Sequence, residues 1–254
     1  LRSGPGTAIT FTLVGGSFAV TPRSVTFTTS SNFDNSKDVD ATTLSVIFNN
    51  LVGSGTLSRS GLGSVSSENV ATGQQSVTLG TLTLTDNTGV ASNYSLSSAT
   101  LDINEKPISL SGTKVYDALT TAASSALTIS GTVGGQDLTL SGNGTLANGA
   151  DVGTNKTINT SGLSLGDGVS GTPGTASNYT LAGGTHQMSV TQQPVTISGS
   201  RFYDSTTNVS SSDINTFNNT VGGQTLAITG SGSVSTAVAG SGKTISLGTL
   251  TLTD

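Results

Sequence analysis

The sequence predicts an all-β chain built as a tandem array of small β-sandwich-like modules of about 85 residues each. Three observations lead there: self-similarity at long range, apolar and polar residues alternating with period two, and glycine-rich punctuation between the alternating stretches. "PISLSGTKVYDALTTA" from Pro107 is answered by "PVTISGSRFYDSTTNV" from Pro194. Tyr116-Asp117 returns as Tyr203-Asp204, "TVGGQDLTLSG" from Thr132 as "TVGGQTLAITG" from Thr220, and Lys156-Thr157 as Lys243-Thr244. An earlier, more diverged copy has Phe33-Asp34 in place of Tyr-Asp, and its "ASNYSL" around Tyr94 matches the "ASNYTL" around Tyr179. A tandem array of this kind serves length or valency more often than a single catalytic centre.

Each strand is justified by its alternation. In the second copy the apolar pairs are Ile108/Leu110, Leu127/Ile129, Leu138/Leu140, Leu163/Leu165, Tyr179/Leu181 and Met188/Val190. The Ser or Thr between each pair points the opposite way, as a half-buried strand requires. "VGGQ", "GNG", "GDG" and "AGG" stand between them and are expected as turns, because glycine adopts positive φ without steric cost. No stretch carries an i, i+3, i+4 apolar stripe. The alternative all-β architecture is a β-solenoid, whose coil period of roughly 20–30 residues is not seen here.

Proline marks the joints. The resulting frame is the end of a preceding repeat at 1–23, a diverged first repeat at 24–106, a second at 107–193, and a third at 194–254 that lacks its last strands. Short proline-bearing joints imply an elongated, semi-rigid rod. Residues 7–16, "TAITFTLVGG", align with "TASNYTLAGG" from Thr175, whereas the third copy stops at "GTLTLTD" before any such piece. The chain therefore opens with the segment that its last copy lacks. One reading is a permuted frame of 1–86, 87–167 and 168–254. Another is head-to-tail self-association, with the N-terminal segment of one molecule adding a strand to the third module of the next. No signal peptide opens the chain, so Leu1 is expected not to be a natural start.

Composition narrows the function classes. Charged residues make up 9 %, the formal net charge is −5, and the nine Lys and Arg are scattered. Nucleic acid and anionic membrane surfaces both call for basic clusters, so neither is an expected partner. No apolar run approaches the ~20 residues needed to span a bilayer as a helix. There is no cysteine, so each module must cohere through its sheets and core.

Candidate chemistry is sparse. The single histidine, His186, sits in a strand-like segment opposite Ala99 or Leu101 of the first copy and approximately Phe18 before it, so nothing at that position demands an imidazole. No nucleophile-elbow motif is present in a strand-turn-helix context. "TDNTG" from Thr85 and "GDG" from Gly166 offer oxygen ligands, but they match neither the twelve-residue calcium loop nor the RTX nonapeptide. Tryptophan is absent and aromatics total 4 %, which leaves few platforms for a sugar ring. No catalytic residue, cofactor site or metal site is expected, and the chain is not read as an enzyme. The best-defined markers are structural ones: Phe33, Asp34, Tyr94, Tyr116, Asp117, Tyr179, Tyr203 and Asp204. In the Tyr-Asp pair the ring is expected to fill a core position, while the carboxylate secures the turn that follows through backbone N–H groups. Asp117 with Lys156, and Asp204 with Lys243, stand at equal spacing and are candidates for a cross-strand ion pair, although Gln75 replaces the lysine in the first copy.

The ordered set "GTKVYDALTTA…GTVGGQDLTLSG…GTLANGADVGTNKTINTSGLSL…ASNYTL" resembles the YDG/MBG-type repeats, mostly-β glycine-rich modules of very large filamentous-haemagglutinin-like bacterial exoproteins. The glycine of Tyr-Asp-Gly is replaced by Asn35, Ala118 and Ser205, which puts the geometry of that turn in question. The resemblance implies a stalk or spacer segment of a secreted or cell-surface adhesin, exported by two-partner secretion and placed at the bacterial surface or in biofilm matrix. Extracellular polysaccharide or a host surface would then be the partner of the parent protein. Weak polysaccharide binding by the repeats themselves is the alternative.

Overall fold

The structure is a computed structural model that describes residues 12–42 and 45–253. It is all-β, as the alternation predicts, and divides into two compact units, Leu1–Asn104 and Glu105–Asp254.

The first unit holds β1 (Arg23–Asn32), β2 (Asp38–Asp40), β3 (Val46–Asn49), β4 (Leu57–Ser60), β5 (Leu62–Ser64), β6 (Gln75–Val77), β7 (Thr83–Asp86) and β8 (Tyr94–Asn104). Its main sheet has the order β3-β1-β8-β6, while β2 pairs with β5 and β4 with β7. First and last strands run parallel, from Arg23 opposite Tyr94 to Asn32 opposite Asn104, with a register shift between Val25 and Thr26. Inward-facing Val25, Phe27, Val77, Ala99, Leu101 and Ile103 are buried. Phe48 meets Phe27 edge-on with ring centroids 6.0 Å apart, a favourable quadrupolar arrangement.

The second unit begins with β9 (Lys106–Pro107), β10 (Ser109–Val115), β11 (Thr121–Ala123), β12 (Leu127–Ser130), β13 (Leu138–Leu146), β14 (Gly153–Asn159), β15 (Leu163–Asp167), β16 (Tyr179–Thr180) and β17 (His186–Thr191). The order β11-β13-β14-β17-β10-β12, with β15 on β13, repeats the plan of the first unit, and β10 again lies parallel to β17. Leu110, Met188 and Val190 from one side of this folded sheet meet Ala122, Leu146 and Leu163 from the other, with Ile158 between them. Leu127, Ile129, Leu140 and Leu181 pack around that cluster, so the alternating pairs read from the sequence supply the core. Further along come β18 (Thr196–Gly199), β19 (Asn208–Ser210), β20 (Ile214–Asn218), β21 (Ala227–Thr229), β22 (Ser231–Val234), β23 (Ile245–Ser246) and β24 (Thr251–Thr253). Here the sheets are smaller: β18-β20, β19-β22-β23 and β21-β24.

Residues 12–22 lie outside every strand, and Leu13, Val14, Phe18 and Val20 are 99, 81, 90 and 86 % exposed. The remainder of the N-terminal segment, residues 1–11, lies outside the described residues.

One turn expectation is corrected. Gly142-Asn143-Gly144 does not separate strands but lies inside β13, and the chain bends there without breaking. The first of these glycines recurs as Gly61 and Gly230, all with φ between +84° and +91°. A Cβ at any of the three would sit 2.1–2.2 Å from the carbonyl oxygen of a neighbouring strand or turn. Period-two reasoning misses this because a kinked strand and a hairpin turn both ask for glycine. Gly142→Ala is expected to lower stability by more than about 2 kcal/mol, combining backbone strain with a clash. Gly149→Ala, at φ +76° with nothing within 4 Å, should cost only the strain, about 1 kcal/mol. Chemical denaturation of the two variants beside the parent chain checks the difference.

Candidate functional site

The repeated Tyr-Asp turn has one geometry in all three copies. Asp34 Oδ1 accepts the N–H of Ser36 at 2.9 Å, Asp117 Oδ1 that of Leu119 at 3.0 Å, and Asp204 Oδ1 that of Thr206 at 2.9 Å. The residue between is left-handed each time: Asn35 at φ +61°, Ala118 at +61° and Ser205 at +63°. Asparagine, alanine and serine thus take the same left-handed turn. The carboxylate holds the backbone in a conformation that glycine would adopt freely.

Burial of the aromatic ring differs among the copies. Phe33 is 1 % exposed, Tyr116 is half-buried against the core cluster, and Tyr203 is 68 % exposed. Core filling thus describes the first copy fully, the second in part and the third not at all. Tyr116 Oη accepts a hydrogen bond of 2.7 Å from Gln224 Nε2, which links the second and third copies within their unit.

The expected partnership of Asp117 with Lys156 is not formed. Asp117 instead pairs with Lys114 at 2.7 Å, and Asp204 pairs with Arg201. Lys114 Nζ also donates to the carbonyls of Leu119 and Thr121 at 2.8 and 3.0 Å, and Arg201 Nη2 to the carbonyl of Thr206 in the equivalent loop. Sequence reasoning missed this basic residue two positions before the tyrosine because Ser31 stands there in the first copy.

Lys156 and Lys243 have a different task. Lys156 Nζ donates to Asp151 O at 2.5 Å, and Lys243 Nζ to Thr236 O at 3.0 Å. In the first copy Gln75 Nε2 donates to Asn69 O at 3.2 Å. Each side chain satisfies a carbonyl of the loop preceding its own strand, which explains why a neutral amide can replace an ammonium.

Two further contacts repeat. Asp86 and Asp167 accept the N–H of Ala91 and Ala176, both at 2.7 Å, which fixes the "ASN" turn ahead of the tyrosine. Tyr94 Oη then accepts the N–H of Val52 at 3.2 Å, and Tyr179 Oη that of Val133 at 3.0 Å and bonds with Gln136 as well. Burial pushes the Tyr179 hydroxyl pKa up, against the opposing hydrogen bond from Val133.

His186 lies on β17 with Nε2 2.6 Å from Leu181 O, so Nε2 carries the proton and donates. Among the described residues there is no group of three or more His, Asp or Glu placed to hold a metal ion, and no helix long and apolar enough to cross a membrane. The second unit carries an open depression of about 420 Å³ along β10, β12, β14 and β17, lined by Ser111, Thr113, Thr128, Asn155, Gln187 and Ser189.

Two predictions follow from the turn chemistry. An L-residue in the left-handed region costs roughly 1–2 kcal/mol, so Ala118→Gly should raise stability by about 1 kcal/mol after the added unfolded-state entropy of glycine is subtracted. Thermal unfolding of the variant checks it. The second concerns acid. Asp204 is held below its ordinary pKa by the Thr206 N–H and hydroxyl and by Arg201, against a burial effect. Asp137 is held low by the N–H groups of Val169 and Ser170. For Asp117 burial pushes upward, but Lys114 and the Leu119 N–H together outweigh it. Groups depressed in the folded state stabilise above their unfolded pKa and lose that contribution as pH falls through the folded value. Unfolding midpoints should therefore stay level from about pH 7 to pH 5 and drop below about pH 4. The triple Asp→Asn variant should flatten that drop.

The comparisons with known proteins address the middle of the chain. The family model described as the YDG domain matches residues 104–188, from Asn104 through Met188 on β17. No curated protein and no solved structure matches the chain. About a third of the sequence, covering most of the second copy, is thus similar to a YDG domain.

Proposed function

We propose that these modules are stalk or spacer repeats of a large secreted or cell-surface bacterial adhesin, serving to project a binding region for attachment to cells, host surfaces or biofilm matrix. The observation that carries the reading is the recurrence of one scaffold. The polar residues shared between copies, among them the Tyr-Asp carboxylates, the Lys156 and Lys243 ammoniums and the Tyr94 and Tyr179 hydroxyls, are engaged in holding loops to strands. The YDG-domain match over the second copy supports the same family of readings. An extracellular location and export by two-partner secretion belong to this proposal.

A second reading is favoured by the polar depression beside β10 and β17. Hydroxyls and amides there suit weak contact with matrix polysaccharide, and weak sites repeated along an array gain by avidity.

Small-angle scattering and glycan capture separate the readings. A spacer array should give a radius of gyration well above the ~18 Å expected for a compact chain of this length, with no retention on polysaccharide at physiological salt. A value near ~18 Å would overturn the spacer reading, and salt-resistant retention lost in Gln187→Ala with Asn155→Ala would favour the second.

A further inference from the structure

Asparagine followed by glycine carries a reactivity of its own. The glycine nitrogen can attack the side-chain Cγ of the residue before it, because no Cβ on the glycine obstructs the approach. Aspartate in the same place reacts in the same way. The attack needs an N–H that is not held elsewhere and a backbone free to turn toward the ring it closes. The chain offers three such pairs: Asn143-Gly144, Asn148-Gly149 and Asp167-Gly168. Their surroundings differ.

Asn143-Gly144 lies inside β13, with Asn143 opposite Ala123 and Gly144 opposite Ala122 of β11. The Asn143 N–H donates to Gly162 O at 3.0 Å, and the Leu146 N–H to Thr120 O at 2.7 Å. Donors alternate in direction along a strand, so the Gly144 N–H points the same way as that of Leu146, at β11. A Cβ on Gly144 would stand 2.6 Å from the Ile158 side chain and 2.9 Å from Asn159 O, so this site is closely covered. Asp167-Gly168 is tied as well. Asp167 Oδ1 accepts the Ala176 N–H at 2.7 Å, and the Gly168 N–H donates to Gly174 O at 2.9 Å.

Asn148-Gly149 has none of these restraints. It lies in the turn between β13 and β14, and both residues are exposed. The ladder stops just short of it, with the Ala147 N–H donating to Thr157 O at 3.0 Å. Among the described residues the Gly149 N–H has no hydrogen-bond partner. Nothing lies within 4 Å of the place a Gly149 Cβ would take, so attack meets no neighbouring atom. The far end of the loop is held by Lys156 Nζ on Asp151 O, which lets Asn148 rotate while β14 stays paired. The pair is particular to this copy, since Ser67-Glu68 stands there in the first.

We propose that Asn148 is a site of spontaneous deamidation, with water as the co-reactant. The Gly149 nitrogen gives up its proton to solvent base and bonds to Asn148 Cγ. The Cγ–Nδ2 bond breaks, Nδ2 takes a proton and leaves as ammonia, and a cyclic succinimide remains. Water adds to either ring carbonyl, and the ring nitrogen recovers its proton as the ring opens. Opening at Cγ gives aspartate, whereas opening at the backbone carbonyl routes the main chain through Cγ and gives isoaspartate. An amide and water become a carboxylic acid and ammonia, with no change of oxidation state. Each event adds a negative charge to a chain whose formal net charge is −5. The inference stands apart from the spacer reading, since it concerns the chemistry of one loop whatever the array carries.

Peptide mapping by mass spectrometry on the full chain, kept folded in mildly alkaline buffer, tests it. Residue 148 should gain the mass of an amide-to-acid change, appear as two products of equal mass, and take up label from heavy-oxygen water. Asn143 should react more than about tenfold more slowly, because it must wait for β13 to open locally. Unfolding the chain in denaturant should bring the two rates together, since the same pair of residues reacts at both sites. Asn148→Gln, whose longer side chain would have to close a larger and less favourable ring, should lose the gain at that site while leaving the circular dichroism spectrum unchanged. An unchanged mass at Asn148 in the folded chain over the time in which the unfolded chain reacts would overturn the proposal. So would equal rates at Asn143 and Asn148 in the folded chain, whatever scattering says about the spacer reading.

Discussion

Everything in a complete module depends on the parallel pairing of its first and last strands. β1 with β8, and β10 with β17, bring together segments about 70 residues apart, and closing so long a loop carries an entropic cost that local turns do not. The return is that the last strand covers two edges at once and presents its inner face to the core, where Met188 and Val190 are 0 and 2 % exposed. Burying an aliphatic side chain fully contributes roughly 1.5–3 kcal/mol. In the third copy the described strands lie in separate smaller sheets, and Val195, Ile197 and Ile245 are partly buried.

Closure would be of little use if the connecting loops were free to pull the strands apart. With only 9 % charged residues, the chain does not rely on ion-pair networks for this. It uses single side chains as hooks to the backbone: Lys114 on Leu119 and Thr121, Lys156 on Asp151, Tyr179 on Val133, Asp167 on Ala176. Each hook satisfies a backbone carbonyl or N–H that a tight loop would otherwise leave without a protein partner. Hydrogen bonds to charged groups are the stronger kind, which makes a scarce charge more useful on a loop carbonyl than in an exposed pair.

Much of this was legible in the sequence, and the parts that were not share a physical cause. Period two located the core pairs, because side-chain direction in a strand is set by backbone geometry alone. Partner choice was not legible. Lys156 stands at a constant distance from Asp117 in the chain, yet the carboxylate takes Lys114, three residues away and on the same turn, at much lower entropic cost. Gly142-Asn143-Gly144 was misread as a turn, because demand for positive φ does not tell whether the chain reverses or only bends. Tyr203 was read as core with Phe33 and Tyr116, but burial depends on neighbours as well as on the residue, and this ring is 68 % exposed.

The copies act as internal controls on what each position is for. Tyrosine gives way to Phe33, the ammonium of Lys156 to the amide of Gln75, and the turn residue varies among Asn35, Ala118 and Ser205, while the Asp-to-backbone hydrogen bond and the left-handed φ beside it persist to within 0.1 Å and 2°. Geometry survives where chemistry changes. At these positions the repeated unit is defined by its shape, which is the property that the proposed spacer reading calls for.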